Sequence, residues 1–279
     1  MWRETFHRIP WPQAFLHKSS SEVLREQLVD RPTIKTTVAR RYCLQRTTSE
    51  LRGAFIWRAG ATMIYQSLNL PVLRMVPTSS RRVLDIGCGG GMMGAWLKEH
   101  RGCEVTGITN SDAEAEAARR CLDRVIVADL NHLELDDRDR FDCVICSHVL
   151  EHLIEPQHLL RSLQSVLSPV GMLVVALPNV TFWRQRLLLL GGRFAYTDGG
   201  IMDRTHLRFF DWEGARALLE SSGFDVERRF ATGSVPGSRH FGPTLARRID
   251  SVGLSRMPGL FGFQFVLRGQ PTCGERNAI

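Results

Sequence analysis

Short apolar runs alternate with helical patterns along most of the chain. The runs cover residues 83–86, 105–108, 125–127, 143–146 and 172–177. The segments between them repeat apolar residues at helical spacing, and two further apolar runs follow at residues 226–230 and 263–267. Near-continuous apolar strands that alternate with helices are typical of a parallel sheet covered on both faces. The pattern therefore predicts an α/β fold with a seven-stranded, mostly parallel sheet and helices on both faces.

The first 78 residues follow a different pattern. Helical spacing predicts one helix from Ser21 and another over residues 52–70, before Pro71 and Pro77 interrupt the chain. We therefore expect three parts, which are an N-terminal helical extension or lid over residues 1–78, a main domain over 79–270 and a flexible tail over 271–279.

Composition narrows the class of protein. The 279 residues carry a formal net charge of +7, but the basic doublets are scattered, so we expect no nucleic-acid partner. No apolar run approaches the roughly 20 residues of a membrane span, and the N-terminus lacks a signal-peptide pattern. Seven dispersed cysteines argue against a disulfide framework. We therefore expect a cytoplasmic protein without a transmembrane segment.

A glycine-rich loop links the first apolar run to the helix that follows it. Its sequence is Asp85-Ile86-Gly87-Cys88-Gly89-Gly90-Gly91. Glycines let a ligand approach the backbone, and the N-terminus of the next helix offers N–H groups to a carboxylate or phosphate. Gly89, Gly91 and Gly94 also fit the spacing of a dinucleotide-binding loop. Asp85 argues against that alternative, because its carboxylate would repel a pyrophosphate but suits a ligand with an ammonium group.

Two further segments, taken together with the glycine-rich loop, resemble those of a known family. Together with Ala128-Asp129-Leu130 and the turn at residues 167–171, the loop resembles the class I S-adenosylmethionine (SAM) dependent methyltransferases. The resemblance runs from Arg81 to about Gly223, and it implies a Rossmann-like fold with SAM as cofactor. It implies that the methionine part of SAM is held by Asp85, Gly87, Cys88, Gly89 and Gly91. It also implies that Asp129 faces the adenine amino group, that Leu130 packs on the ring, and that Ser147 lies beside the sulfonium.

The end of the second strand departs from the family pattern. Members of the family usually carry an acid there that binds both ribose hydroxyls, whereas this chain has Thr109. The turn Gly107-Ile108-Thr109-Asn110-Ser111 resembles that of cyclopropane synthases and some small-molecule methyltransferases. Thr109 and Asn110 can still hydrogen-bond a ribose, more weakly than a carboxylate would. We expect both residues to bind the cofactor.

Three ionisable residues follow the fourth apolar run. His148, Glu151 and His152 have the spacing that places side chains on one face of a helix. Histidine titrates near neutrality and can remove a hydroxyl proton while the acceptor oxygen attacks a methyl group. The alternative is that these residues only cap and orient the helix.

A fourth candidate lies at His206. The pattern Thr205-His206 followed by Phe210 resembles ubiquinone-pathway O-methyltransferases, and a similar histidine occurs in small-RNA 2′-O-methyltransferases. In those families such a histidine joins Glu and His residues around a divalent cation. The resemblance implies a metal set of His148, Glu151, His152 and His206, and we expect the catalytic residues to be His148, His152 and His206. Mixed imidazole and carboxylate ligands suit Zn, Mn, Fe or Co better than Mg. A metal-free role for His206 is the alternative.

The sequence is least specific about the identity of the methyl acceptor. Residues 178–210 and 260–265 resemble a bacterial subgroup found with polysaccharide and natural-product pathways. We expect methyl transfer from SAM to a hydroxyl of a small-molecule acceptor, anionic or sugar-containing. The alternatives are other chemistry on bound SAM, a catalytically silent SAM-binding subunit and RNA 2′-O-methylation. A homodimer is left open.

Overall fold

The computed structural model describes residues 55–59, 62–136 and 138–272. By its contacts the chain divides into residues 1–55 and 56–279. The helix expected from Ser21 lies outside the described residues, and so does most of the expected tail. The N-terminal extension over residues 1–78 therefore stays a prediction for its first 54 residues.

The order of elements follows the alternation of the sequence. The strands of the main sheet are β3 (Arg82–Ile86), β4 (Glu104–Thr109), β5 (Arg124–Val127), β6 (Phe141–Ser147), β7 (Leu167–Pro178), β8 (Phe224–Gly233) and β9 (Gly262–Pro271). Before them come β1 (Phe55–Ala59), β2 (Thr62–Gln66) and α1 (Leu70–Met75). The remaining helices are α2 (Met92–Arg101), α3 (Asp112–Ala118), α4 (Pro156–Val166), α5 (Trp183–Leu190), α6 (Trp212–Ser221), α7 (Pro243–Arg256) and α8 (Pro258–Phe261).

The main sheet has the order β5-β4-β3-β6-β7-β9-β8. The pairs from β5 to β7 are parallel, and β9 runs antiparallel to both of its neighbours. The predicted seven-stranded, mostly parallel sheet is therefore confirmed. Strand β4 lies on one side of β3 and β6 lies on the other, so the strand order reverses direction at β3. Ligands of open α/β sheets bind at such a point, beside the carboxyl ends of the strands.

The sheet has one apolar cluster on each face. Consecutive residues of a strand point to opposite faces, and β3 follows this rule: Leu84 and Ile86 belong to the cluster under α4 and α6. Val83 belongs to the cluster under α1 and α2. Burial on both faces explains why these strands read as continuous apolar runs.

The helix expected over residues 52–70 is wrong. Residues 55–66 instead include the two strands β1 and β2, which form a separate two-stranded sheet. Apolar residues at helical spacing favoured the helix, but the segment is rich in aromatic and β-branched residues and contains Gly60 between the strands. Such residues favour strands, and glycine weakens a helix interior. Helix α1 begins only at Leu70, with Pro71 in its first turn, where proline is tolerated.

The segment after β6 also differs from a continuous helix. A single 3₁₀ turn spans Leu150–His152, and α4 begins at Pro156. Proline at the start of α4 lacks the N–H that a longer helix would need. Among the described residues, none of the helices has the length and apolar character needed to cross a membrane.

Candidate active site

The glycine loop turns sharply between β3 and α2. Gly87, Gly89 and Gly91 have φ values of +68°, +53° and +82°, which side-chain-bearing residues rarely adopt. A Cβ at Gly87 would lie 2.5 Å from the Val149 side chain, and one at Gly91 would lie 2.8 Å from Cys121 Sγ. Glycine is therefore required both by the backbone conformation and by the space. Cys88 is buried inside the loop, and its backbone N–H donates to the Ile108 carbonyl.

Asp85 is a buried carboxylate without a partner. It is fully buried in β3, and neither oxygen accepts a hydrogen bond from the described residues. Burial raises the pKa of Asp85 to about 7. An unsatisfied buried acceptor costs free energy that a cationic ligand group would offset. Asp85 and the loop thus fit the ammonium and carboxylate of the methionine part of SAM.

The turn after β4 contains a carboxylate that the sequence analysis missed. Glu114, in the first turn of α3, is buried, and its Oε2 accepts a hydrogen bond from Thr109 Oγ1 at 2.6 Å. Asn110 is exposed beside this pair. Helix α3 begins after its cap Ser111, whose Oγ accepts from Glu114 N, and this cap returns Glu114 toward Thr109. An acid three residues after a serine cap is a signal that could have identified Glu114.

Strand β2 lies against the same loops. Tyr65 N–H donates to Glu114 Oε1 at 3.1 Å, and the Tyr65 carbonyl accepts from Gly90 N–H at 2.9 Å. The strand therefore bridges the glycine loop and α3 through its backbone. A helix over residues 52–70 would have used these backbone groups internally.

Asp129 and Leu130 follow β5 at the same edge of the sheet. The Asp129 carboxylate caps the 3₁₀ turn Leu130–His132 and accepts from the backbone N–H and the side-chain amide of Asn131. Both hydrogen bonds lower the pKa of Asp129, and the one from the Asn131 backbone has the larger effect. Leu130 packs at the margin of the core. The acid is exposed and ionised, as a partner for an amino group would be.

His148 adopts an uncommon backbone conformation at the end of β6. Its φ is +57°, so it does not lie on a helix, and the predicted shared helical face does not form. Its Nδ1 lies 3.2 Å from Glu151 Oε1, and its Nε2 lies 2.7 Å from Gln264 Oε1. The His148 side chain is 38% exposed, so its lower hydration comes from the dense surroundings of the site and not from full enclosure. This desolvation lowers the pKa of His148, but the hydrogen bond and charge of Glu151, followed by the hydrogen bond of Gln264, raise it overall. Both nitrogens face oxygen acceptors, which favours the charged form of the ring and makes it a weaker candidate to accept a proton.

An amide pair connects His148 to Ser147. Asn69, just before α1, and Gln264, in β9, exchange two hydrogen bonds through their side-chain amides, at 3.1 and 3.3 Å. Asn69 Nδ2 also lies 3.2 Å from Ser147 Oγ. Gln264 pairs with Pro178 at the end of β7, so antiparallel β9 begins at the edge where the parallel strands end. A polar residue inside the apolar run 263–267 was the signal for Gln264.

Glu151, His152 and His206 form a second cluster. One ligand atom from each residue lies within 4.8 Å of the others, and the two imidazole rings are 4.8 Å apart. Glu151 is fully buried; its Oε1 lies 4.0 Å from His206 Nε2, and its Oε2 has no hydrogen-bond partner among the described residues. His148 was expected in this set but is not one of the three converging residues; its Nδ1 faces Glu151 Oε1 and its Nε2 faces Gln264.

The two histidines of the cluster share one orientation. His152 Nδ1 lies 3.2 Å from the Thr205 carbonyl oxygen, and His206 Nδ1 lies 3.0 Å from that of Ile201. A carbonyl only accepts hydrogen bonds, so each Nδ1 carries a proton. Thr205 Oγ1, 3.1 Å from His152 Nδ1, can accept from it as well, because the hydroxyl donates its own proton to Asp203. In the uncharged form of either ring, the lone pair is therefore on Nε2. Burial lowers the pKa of His206, which favours its neutral form. Both rings can thus accept a proton or bind a cation.

Comparison with known proteins identifies the family of the domain that contains this site. Residues 63–228 match the model of a family described as a methyltransferase domain. A ubiquinone biosynthesis O-methyltransferase from Histophilus somni is 29% identical over 126 residues, 42% of this chain and 52% of that protein. A mitochondrial ubiquinone biosynthesis O-methyltransferase from Bos taurus is 31% identical over 163 residues, 54% of this chain and 43% of that protein. The chain thus spans about half the length of these curated relatives.

Solved structures share the fold. A SAM-dependent methyltransferase from Archaeoglobus fulgidus is 23% identical, with a TM-score of 0.51 over 72% of this chain and 92% of that one. One from Mesorhizobium loti is 21% identical, with a TM-score of 0.51 over 72% and 95%. The matched domain includes the glycine loop, the buried acid and the histidine cluster. The chain therefore belongs to the class I SAM-dependent methyltransferases.

Proposed function

We propose that this protein transfers the methyl group of SAM to a hydroxyl oxygen of a small-molecule, sugar or natural-product acceptor. The observation that carries the proposal is the pair of imidazoles at His152 and His206, whose Nδ1 atoms face backbone carbonyls and whose Nε2 atoms do not. A hydroxyl must lose its proton as it is methylated, and a positioned imidazole is suited to take it. The curated relatives are named O-methyltransferases, which supports oxygen as the atom that is methylated.

The cofactor half of the reaction is assigned to the glycine loop and its neighbours. When bound, SAM supplies a methyl group that its sulfonium has already activated. Asp85 would hold the ammonium, Thr109 with Glu114 would hold the ribose, and Asp129 would face the adenine amino group. Binding in this geometry would leave the chain mainly the task of in-line positioning.

Of the three candidate bases, His152 is the one that we assign to proton removal. His148 already directs both ring nitrogens to oxygen atoms, and His206 is buried. His152 is only partly buried, and no hydrogen bond from the described residues engages its Nε2. His148 would act as a positively charged wall of the acceptor pocket, where it would favour an anionic acceptor.

The direct test is methyl transfer from labelled SAM to pools of hydroxylated acceptors, including sugar phosphates and phenols. Label appearing as an alkali-stable methyl ether would support the proposal. Binding of SAM without label in any acceptor pool would contradict it and favour a silent SAM-binding subunit. Label on nitrogen would contradict the choice of oxygen.

A divalent cation at Glu151, His152 and His206 is a second candidate role for the cluster. The support is the convergence of one carboxylate and two imidazole atoms, and the unpartnered Glu151 Oε2. A cation there would lower the pKa of a bound hydroxyl and replace the need for a base. Calorimetry with Zn²⁺ and Mn²⁺ tests this directly. Binding that is lost in Glu151→Gln but kept in Glu155→Gln, which changes an exposed neighbour, would support it.

Partners and location stay predictions. We propose a single small-molecule acceptor as partner. The cytoplasmic location expected from the sequence is not tested by the fold. The homodimer that the sequence leaves open is not tested either. Size-exclusion chromatography with light scattering would measure the oligomeric state.

A further inference from the structure

The region after β7 is exposed to solvent along most of its length. Every residue from 186 to 200 is exposed, and no residue of α5 is buried. An amphipathic helix normally buries one apolar stripe against its own domain. Helix α5 does not, although it ends in four consecutive leucines.

The four leucines form the last turn of α5, and their side chains point outward in different directions. Leu187, Leu188, Leu189 and Leu190 are 54%, 43%, 49% and 84% exposed. Because each helical residue turns by about 100° from the last, four consecutive residues point around most of the helix circumference. Phe194 and Tyr196 follow and are also exposed, with ring centroids 5.6 Å apart. We call residues 186–196 the apolar tip.

The charged residues within the apolar tip are all basic, and the first acid after it, Asp198, forms an ion pair with Arg204 at 2.6 Å. Residues 179–197 contain Arg184, Arg186 and Arg193 but no Asp or Glu. Arg186 and Arg193 flank the leucines in sequence and are exposed. The surface therefore combines an apolar end with a cationic border.

We propose that the apolar tip docks on the surface of an anionic lipid bilayer. A protein groove would cover one side of a helix, whereas leucines pointing in most directions suit a fluid apolar medium that can surround them. Arginines at the border would remain at the level of the lipid headgroups, attracted to anionic lipids. The net charge of +7 favours the same partner. This proposal concerns a surface and does not depend on the acceptor of the methyl group.

A line of aromatic rings connects the apolar tip with the candidate site. Tyr196 lies 6.5 Å from Phe209, and Phe209 lies 6.4 Å from His206, measured between ring centroids. Phe209 is partly exposed and His206 is buried. A bilayer at the apolar tip would therefore be adjacent to the side of the site that contains the histidine cluster.

The test is flotation of the full chain with phosphatidylcholine vesicles, with and without phosphatidylglycerol. We expect binding that is stronger to the anionic vesicles and weakened by salt. The double variant Leu188→Ser/Leu190→Ser should reduce partitioning about tenfold or more, and Arg193→Gln should reduce binding to the anionic vesicles about fivefold. Val170→Ser is the matched control, because Val170 is 80% exposed near the start of β7, at the opposite end of that strand.

Three results would overturn the proposal. The first is absence of vesicle binding by the unaltered chain, and the second is equal binding by the double leucine variant. In the third, the leucine substitutions lower the melting temperature or change the mass measured by light scattering while vesicle binding is unaffected. That result would show that the apolar tip packs on another part of this chain or on a second copy.

Discussion

The two halves of the candidate site are built in different ways. The cofactor half comprises the glycine loop, Thr109, Glu114 and Asp129, and the acceptor half comprises His148, Glu151, His152, His206, Asn69 and Gln264. In the cofactor half, backbone conformation determines most of the shape of the site, because the site is formed by three left-handed glycines and the ends of adjacent parallel strands. In the acceptor half, side chains from distant segments orient one another through hydrogen bonds.

This difference determines what each half can tolerate. A backbone site is insensitive to most side-chain changes but depends on a few glycines and one buried acid. A side-chain network depends on several residues whose effects are coupled. Changes in the cofactor half should therefore alter SAM binding, and changes in the acceptor half should alter transfer while sparing SAM binding.

The largest expected effect lies in the acceptor half. His152→Ala removes the proposed base, so transfer should fall by about a hundredfold or more, while SAM affinity stays within about twofold. Single-turnover transfer and calorimetry with SAM measure the two quantities. His158→Ala, an exposed histidine in α4, is the control and should leave both unchanged. Loss of SAM affinity in His152→Ala would contradict the separation of the two halves.

The next effect lies in the cofactor half. Asp85→Asn keeps the shape of the side chain but removes the charge that would pair with the ammonium, so SAM affinity should fall about a hundredfold. Asp225→Asn alters an exposed acid in β8 and should have no effect. Full SAM affinity in Asp85→Asn, measured by calorimetry, would show that the buried acid serves another purpose.

The same buried acid predicts a pH dependence of stability. Burial raises the pKa of Asp85 from its ordinary value of 3.8 to about 7. A carboxyl whose pKa is raised on folding binds its proton more tightly in the folded state, so its ionisation destabilises the fold as pH increases between these two values. Above pH 7 the cost is on the order of 4 kcal/mol.

Without SAM, Asp85→Asn should therefore melt at a higher temperature than the unaltered chain at pH 8, by an amount that shrinks toward pH 5. Scanning calorimetry of both proteins across this range measures the difference. A constant difference at all pH values would mean that the carboxyl does not ionise within the window. The expected gain in stability, together with loss of SAM binding, would identify Asp85 as a residue kept for function.

The sequence predicted most of the half that the backbone defines, although not Glu114 or strand β2. Apolar runs, the glycine loop and Asp85 are contiguous signals, so the sheet and the loop could be predicted from them. The acceptor half could not be predicted to the same depth, because Asn69 and Gln264 lie 195 positions apart and meet only when β9 inserts beside β7. The same limit applies to His148, whose left-handed conformation no spacing rule indicates.

The smallest predicted effect concerns the residue that the sequence analysis missed in the cofactor half. Glu114→Gln should weaken SAM affinity about fivefold, because a neutral amide makes weaker hydrogen bonds to ribose hydroxyls than a carboxylate does. Glu116→Gln is the matched control, since Glu116 lies in the same helix but is exposed and pairs with Arg120. Calorimetry with SAM compares the two variants. If Glu114→Gln binds SAM with full affinity but melts at a lower temperature, Glu114 serves only to fix Thr109 and strand β2, and the ribose contact must come from Thr109 and Asn110 alone.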